Sequence, residues 1–203
     1  MKKYFYAVKN GRIKGVYNTW NECKAQVDGF KGAIFKKFDN EIEAYNFIKD
    51  EVMIKFDENN CWKVYIDGSY DSAKKIYGSG VYLFFDDEEH FLSFKGNDER
   101  FVSSRNVAGE LMACVATIDF CIDNSIDKVL IYHDYEGIAK WVNGEWRANK
   151  ELTKLYKSYM NSVEDKIDID FVKVKAHSND VNNDIADRLA KEGIVKGEFV
   201  DYL

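Results

Sequence analysis

The 203-residue chain contains no proline, three histidines and four cysteines. The missing proline is a compositional bias that carries little functional content. Cys23, Cys61, Cys114 and Cys121 show no C-x-x-C spacing, which argues against a disulfide frame, a zinc site and dithiol redox chemistry. Cys114 and Cys121 lie seven apart on one predicted helical face and read as buried thiols. Long apolar runs are missing too. A stretch such as Val81–Phe85 falls far short of the roughly 18 residues that span a bilayer. The start, Met1-Lys2-Lys3, leads through Tyr-Phe-Tyr-Ala-Val into charged sequence and has no signal-peptide core. These absences predict a cytoplasmic protein without a membrane partner, and a monomer is the default. Hydrophobic residues make up 46% and charged residues 32%, enough to bury a core and exclude intrinsic disorder. The length suits one or two domains, and two is the reading adopted.

The net charge of −6 hides a split. Residues 1–49 carry ten lysines and arginines against five acids, while the remainder carries 19 against 30. A basic module joined to an acidic one implies that the first meets a polyanion. The second then holds carboxylates that some cation must neutralise.

Residues 1–49 predict a small ββαβα unit. Tyr4–Val8 alternates like a strand, Asn10-Gly11 is a type I′ hairpin signal, and Gly15–Tyr17 is the partner strand. Thr19-x-x-Glu22 is a capping box opening a helix through Val27. A third strand runs Gly32-Ala-Ile-Phe-Lys-Lys-Phe38, and a second short helix ends at Ile48. With about 45 residues the unit is marginal for independent folding, so Tyr4, Phe5, Tyr6, Tyr17, Phe35 and Phe38 are expected to supply most of its core. In the third strand Phe35 shares a face with Lys37, and Lys36 with Phe38. A flat ring beside a cation on each face suits a phosphate backbone with its sugars and bases.

This segment resembles the hybrid-binding domain at the front of type 1 ribonucleases H and in some viral inclusion-body proteins. The resemblance rests on Tyr6-Ala-Val, Gly11-Arg12, Gly15-Val16, Thr19-Trp20-Asn21-Glu22-Cys23, Ala25-Gln26-Val27 and Phe35-Lys36-Lys37-Phe38. It implies that Tyr6, Lys36 and Lys37 contact an RNA strand and that Trp20 and Phe35 pack on a DNA strand. Double-stranded RNA is a second ligand the resemblance allows. Residues 50–60 read as a charged linker that would span some 20 to 30 Å if flexible.

Beyond the linker, three strands (62–67, 78–85 and 90–95) form a predicted antiparallel meander. A long amphipathic helix follows over 106–123, with Leu111, Cys114, Val115 and Ile118 at helical spacing. A buried strand over 126–133, helices over 134–143 and 149–163, a strand over 167–174 and a last helix over 179–192 complete the pattern. Together they predict a mixed α/β fold, a five-stranded sheet with helices on both faces. Four acids fall at informative places. Asp67 ends an apolar strand, where a lone carboxylate is expensive. Glu110 lies in the first turn of the long helix. Asp134 ends the buried strand, where sites of open α/β sheets collect, and Asp187 sits among Ala186, Leu189 and Ala190.

Residues 61–196, with 197–203 as a tail, resemble the catalytic domain of type 1 ribonuclease H. The resembling stretches are Ile66-Asp67-Gly68-Ser69, Gly109-Glu110-Leu111-Met112-Ala113, Tyr132-His133-Asp134 and Val174-Lys175-Ala176-His177, followed by Ala186-Asp187-Arg188-Leu189-Ala190. The resemblance implies that Asp67, Glu110, Asp134 and Asp187 bind two Mg²⁺ ions, with Mn²⁺ as a substitute, and that His177 has an accessory catalytic role. It also implies an endoribonuclease that cuts the RNA strand of RNA·DNA hybrids to leave 5′-phosphate and 3′-OH ends. The chemistry suits these residue types. In-line hydrolysis of a phosphodiester needs a nucleophile made from water and charge at the leaving oxygen, and two hard cations held by oxygen ligands serve both ends. Ser69 and Asn106 fall where the family contacts the minor groove and its 2′-hydroxyls.

The chain departs from the family pattern in three places. Arg105 precedes Asn106 where threonine is usual, Tyr135-Glu136 follows Asp134 where Ser-Gln or Ser-Asn is usual, and the loop Trp141–Lys150 is short and weakly basic. Glu136 is a fifth acid near the others, with no role assigned. Two other readings compete: a protein that only binds hybrid or double-stranded RNA, and another nuclease of the same fold, such as a DNA resolvase or an integrase-like enzyme. The four acids argue against the first, because clustered negative charge repels phosphates. The N-terminal module and the His177-to-Asp187 spacing argue against the second.

Overall fold

A computed structural model describes residues 4–48, 58–174 and 180–203; for Ile42 and Asn46 it describes the backbone alone. The chain divides into two compact units, Met1–Met53 and Ile54–Leu203.

In the first unit, β1 (Phe5–Asn10) is the middle strand of a three-stranded sheet, flanked by β2 (Gly15–Tyr17) and β3 (Ile34–Phe38), both antiparallel to it. Alternation along β1 sends its residues to opposite faces. Val8 packs with Cys23 and Val27 of α1 (Trp20–Val27), and Phe5 and Ala7 pack with Ala44 of α2 (Glu41–Ile48). The capping box forms: the Thr19 hydroxyl accepts from the Glu22 backbone N–H, and the Glu22 carboxylate accepts from the Thr19 N–H at 3.0 Å. Two expectations are corrected. Residues 11–14 separate β1 from β2, and neither Asn10 nor Gly11 has a positive φ, so the turn is not type I′. Gly11 serves close approach instead, since a Cβ there would stand 2.6 Å from Val8 Cγ1 and 2.9 Å from the Gln26 carbonyl oxygen. Of the six aromatics assigned to this core, Phe5 is buried and Tyr6, Tyr17 and Phe38 pack partly buried against it, whereas Phe35 is 43% exposed.

The second unit is built on a six-stranded mixed sheet. Its strands are β4 (Trp62–Asp71), β5 (Ile76–Phe85), β6 (Glu88–Gly96), β7 (Lys128–His133), β8 (Asp168–Lys173) and β9 (Glu198–Phe199), in the order β8-β7-β4-β5-β6-β9. Five of these match the expected sheet. The sixth, a two-residue strand parallel to β6, lies in the segment read as a tail, and Tyr202 packs edge-on against Phe94 beside it. A segment this short shows no periodicity of its own. β4, β5 and β6 form the antiparallel meander, whereas β7 pairs with β4 in parallel.

The helices are α3 (Asn106–Asp123), α4 (Gly137–Val142), α5 (Glu151–Val163) and α6 (Val181–Lys196). The core lies between the sheet and α3, where Leu111, Met112, Cys114, Val115 and Ile118 are fully buried against Val64, Ile66 and Val81. Cys23, Cys61, Cys114 and Cys121 are buried thiols. α4 is shorter than expected, because 134–136 form the turn that leaves β7. No helix among the described residues is long and apolar enough to cross a membrane.

Candidate active site and nucleic-acid interface

β4 and β7 run in parallel with Tyr65 opposite Tyr132. Asp67 and Asp134 each follow two residues later, so two carboxylates leave neighbouring strands in the same direction. This is the point where the sheet changes from antiparallel to parallel pairing, a usual place for a site in an open sheet.

Glu110 reaches them because at Gly109 the start of α3 approaches the sheet with no side chain between. A Cβ on Gly109 would stand 2.2 Å from the Gly78 carbonyl oxygen and 3.1 Å from Gly68 Cα, and Ser79 Oγ donates to the Gly109 carbonyl at 2.8 Å. Glycine inside a helix costs about 1 kcal/mol relative to alanine, and here it lets backbone touch backbone. Glu110 lies one turn into α3, not in its first turn as expected. α6 is seated the same way: Cβ atoms on Gly78 and Gly80 would stand 2.1 Å from the carbonyl oxygens of Ala190 and Ala186, the residue before Asp187. The Asp180 side chain caps α6 by accepting from the backbone N–H groups of Asn182 and Asn183.

Ligand oxygens of Asp67, Glu110 and Asp134 all lie within 4.8 Å of one another. Glu110 is 3% exposed; its Oε1 accepts from the Asn106 side-chain amide at 3.2 Å, while Oε2 is buried without a hydrogen-bond partner among the described residues. Burial, then the charges of Asp134 and Asp67, push the Glu110 carboxyl up to about 9. Burial also pushes Asp67 up to about 7; the Gly68 backbone N–H, donating at 2.6 Å, opposes this, and Asp134 and Asp187 add to it. Three crowded carboxyls, one with an orphaned oxygen, fit a hard divalent cation, which would supply the missing partner and charge.

Asp187 is close enough to act electrostatically on Asp67 but lies outside this three-acid group; its Oδ2 accepts from Lys191 Nζ at 2.6 Å on the same helix. His177 lies outside the described residues. Ser69 is half-buried on β4 beside Gly78. Arg105, exposed, enters α3 with φ 54°, a left-handed conformation in which a side chain is strained.

The turn after Asp134 is pinned from several sides. His133, 2% exposed and lowered to about 4 by burial, bonds through Nδ1 to the Tyr135 carbonyl at 2.9 Å. Glu136 is lowered to about 2 by the ammonium groups of Lys140 and Lys173. Tyr135, Trp141 and Trp146 pack together with ring centroids 5.7 to 6.2 Å apart, beside a cavity of about 540 Å³ that Arg147 and Lys150 also line. The roles of Lys140, Lys173 and Lys191 were missed in the sequence. The i,i+4 spacing of Glu136 to Lys140 and of Asp187 to Lys191 signals two of those pairs; nothing local signals Lys173.

In the first unit, Tyr6, Trp20 and Phe35 form a continuous row, with 5.8 Å between successive ring centroids. Trp20 and Phe35 are 42% and 43% exposed. Strand register puts Lys37 opposite Tyr6 and Lys36 opposite Ala7, so Phe35 and Lys37 share the α1 face. Lys37 Nζ sits 3.4 Å from the Tyr4 ring centroid, and Lys36 Nζ 5.5 Å from that of Phe38.

Comparison with known proteins adds to this geometry. Residues 4–48 match the family model described as the ribonuclease H1 N-terminal domain, and residues 59–195 match that of RNase H. Human ribonuclease H1 is 27% identical, the alignment covering 96% of this chain and 90% of that protein. Ribonuclease H of Saccharomyces cerevisiae is 61% identical over 44 residues, 22% of this chain and 13% of that protein. Among solved structures, RNase H1 from the halophilic archaeon Halobacterium salinarum superposes with a TM-score of 0.53 at 18% identity, covering 67% of this chain and 98% of that one. LC11-RNase H1, in complex with an RNA/DNA hybrid, gives 0.52 at 16% identity over 66% and 99%.

Proposed function

The chain belongs to the ribonuclease H family, and on that premise we propose that it hydrolyses the RNA strand of RNA·DNA hybrids with two divalent cations, Mg²⁺ or Mn²⁺, leaving 5′-phosphate and 3′-OH ends. The observation that carries the reading is the convergence of Asp67, Glu110 and Asp134, with Glu110 Oε2 buried and unpartnered among the described residues. Asp67, Glu110 and Asp134 are assigned as ligands of one cation, and Asp187, drawn from Lys191, completes the ligand set with Asp67 for the second. When bound, the cations supply the positive charge that makes a nucleophile from water and offsets charge on the leaving 3′ oxygen.

The protein's own groups do the rest. Asn106 holds Glu110 by its amide, and Gly68 N–H holds Asp67. Ser69 and Asn106 are assigned to the minor groove, where a 2′-hydroxyl distinguishes RNA from DNA. His177 is assigned to proton transfer or product release, for which an imidazole, able to give and to take a proton, is suited. Residues 1–49 are assigned as the hybrid-binding module: Tyr6, Lys36 and Lys37 toward the RNA strand, Trp20 and Phe35 toward the DNA strand. Residues 61–196 form the catalytic domain. The basic module offsets the poor grip of an acidic domain on a polyanion.

Incubation with Mg²⁺ and labelled RNA·DNA hybrid, DNA duplex, RNA duplex and single strands tests the reading in one gel. Cleavage restricted to the RNA of the hybrid is expected. Cleavage of DNA duplex, or binding without cleavage, would reject it. Asp67→Asn and Asp134→Asn are expected to abolish cleavage and retain hybrid binding.

A further inference from the structure

Glu136 stands two residues beyond Asp134, yet among the described residues it is not part of the acid group that converges on a metal position. Both its oxygens are taken. Lys140 Nζ, from α4, donates to Oε2, and Lys173 Nζ, from the end of β8, donates to Oε1 at 3.0 Å. Two ammonium groups on one carboxylate leave a local charge of +1 two residues beyond Asp134. Each ammonium has three donors and gives one to Glu136, so among the described residues donors remain for another oxygen anion. Lys140 Nζ also lies 5.2 Å from the Trp146 ring centroid, and Trp146 is 37% exposed. Through Lys140 the cationic pair therefore adjoins Trp146, which packs on Tyr135 and on the buried Trp141. Cations next to flat rings suit a phosphodiester with its sugar.

We propose that Glu136 is not a metal ligand but the post that gathers Lys140 and Lys173 into a clamp for a backbone phosphate of the nucleic-acid substrate. This rests on the reading of the chain as a nuclease acting on RNA·DNA hybrid. A free lysine loses rotamer freedom when it is fixed on a phosphate, and a carboxylate that holds two of them in advance removes part of that cost from substrate binding. The clamp also answers a deficit noted in the sequence. The Trp141–Lys150 loop is only weakly basic, and β8 with α4 supplies the cations from elsewhere in the chain.

The test is steady-state cleavage of a labelled hybrid by the full chain, between about 50 and 200 mM salt. The variants are Lys140→Ala, Lys173→Ala, their combination, and Lys157→Ala on α5 as a control. Each clamp variant is expected to raise KM about three- to tenfold, more than it changes kcat, and to make the salt dependence of log kcat/KM shallower by about 0.7 to 0.9. Lys157→Ala keeps the wild-type slope. Calorimetric titration with Mn²⁺ is expected to give Glu136→Gln an affinity within about twofold of wild type, as for a residue that is not a ligand. A wild-type KM and salt slope in the double variant would overturn the clamp, and so would a tenfold loss of Mn²⁺ affinity in Glu136→Gln. If the wild type cleaves no hybrid, the nuclease reading fails instead. Fluorescence anisotropy of hybrid binding in EDTA then decides the clamp by the same loss of affinity and slope.

Discussion

A methyl group on Gly68 would stand 2.5 Å from the backbone nitrogen of Glu110 and 2.7 Å from its Cγ, so strand and helix touch where the acids meet. The same methyl would lie 2.2 Å from the Asn106 carbonyl oxygen, which is backbone and has no rotamer by which to yield. Gly68→Ala is therefore expected to push α3 away from β4, lower stability by about 1–3 kcal/mol and cost most of the cleavage rate. Urea unfolding beside a hybrid-cleavage assay checks both. A variant with wild-type stability and rate would show that the approach is looser than this.

The acid cluster gives the metal-free protein a definite pH response. Asp67 at about 7 and Glu110 at about 9 lie above the ordinary carboxyl range near 4. Between those limits the folded state holds more protons than the unfolded one. Their contribution to stability is complete below about pH 4 and is lost as pH rises through 7 for Asp67 and 9 for Glu110, at up to about 1.4 kcal/mol per pH unit for each group. Urea midpoints in EDTA are expected to fall over this range, and Glu110→Gln to flatten the fall above pH 7. Added Mg²⁺ binds the deprotonated form, so its stabilisation grows with pH. A gain independent of pH would count against metal binding at these acids.

Asp187 differs from the other three acids in being paired with Lys191 outside their cluster. Asp187→Asn is expected to retain one tightly bound Mn²⁺ and lose the second, with a large drop in kcat, whereas Asp67→Asn loses affinity at both positions. Calorimetric stoichiometry separates the two cases. Equal loss in both variants would place Asp187 among the ligands of the first ion.

Trp20 and Phe35 are too exposed to contribute much to the core of the first unit, so their removal reports on binding. Trp20→Ala and Phe35→Ala are each expected to weaken hybrid binding by about 1–3 kcal/mol while the unfolding midpoint stays nearly unchanged. Deleting residues 1–49 should raise KM far more than it lowers kcat and should flatten the salt dependence. An unchanged KM would remove the module from substrate binding.

Much of this protein is written locally, and local signals survive folding. The periodicity of 106–123 yields a helix with those bounds, and Thr19 with Glu22 forms the capping box their spacing implies. The partition of Phe35 with Lys37 from Lys36 with Phe38 follows from strand alternation. The motifs around Asp67, Glu110, Asp134 and Asp187 carried the family, because short strings of residues identify a fold whose details they do not describe. Tertiary structure alone decided the remainder. It chose close approach over a type I′ turn at Gly11, added β9 to the edge of the sheet, brought Glu110 against Asp67 and Asp134, and drew Lys173 from β8 onto Glu136. These relations depend on which surfaces meet across tens of residues, and on side chains missing from both, as at Gly68 and Gly109. A sequence records each glycine but not the glycine or backbone that faces it.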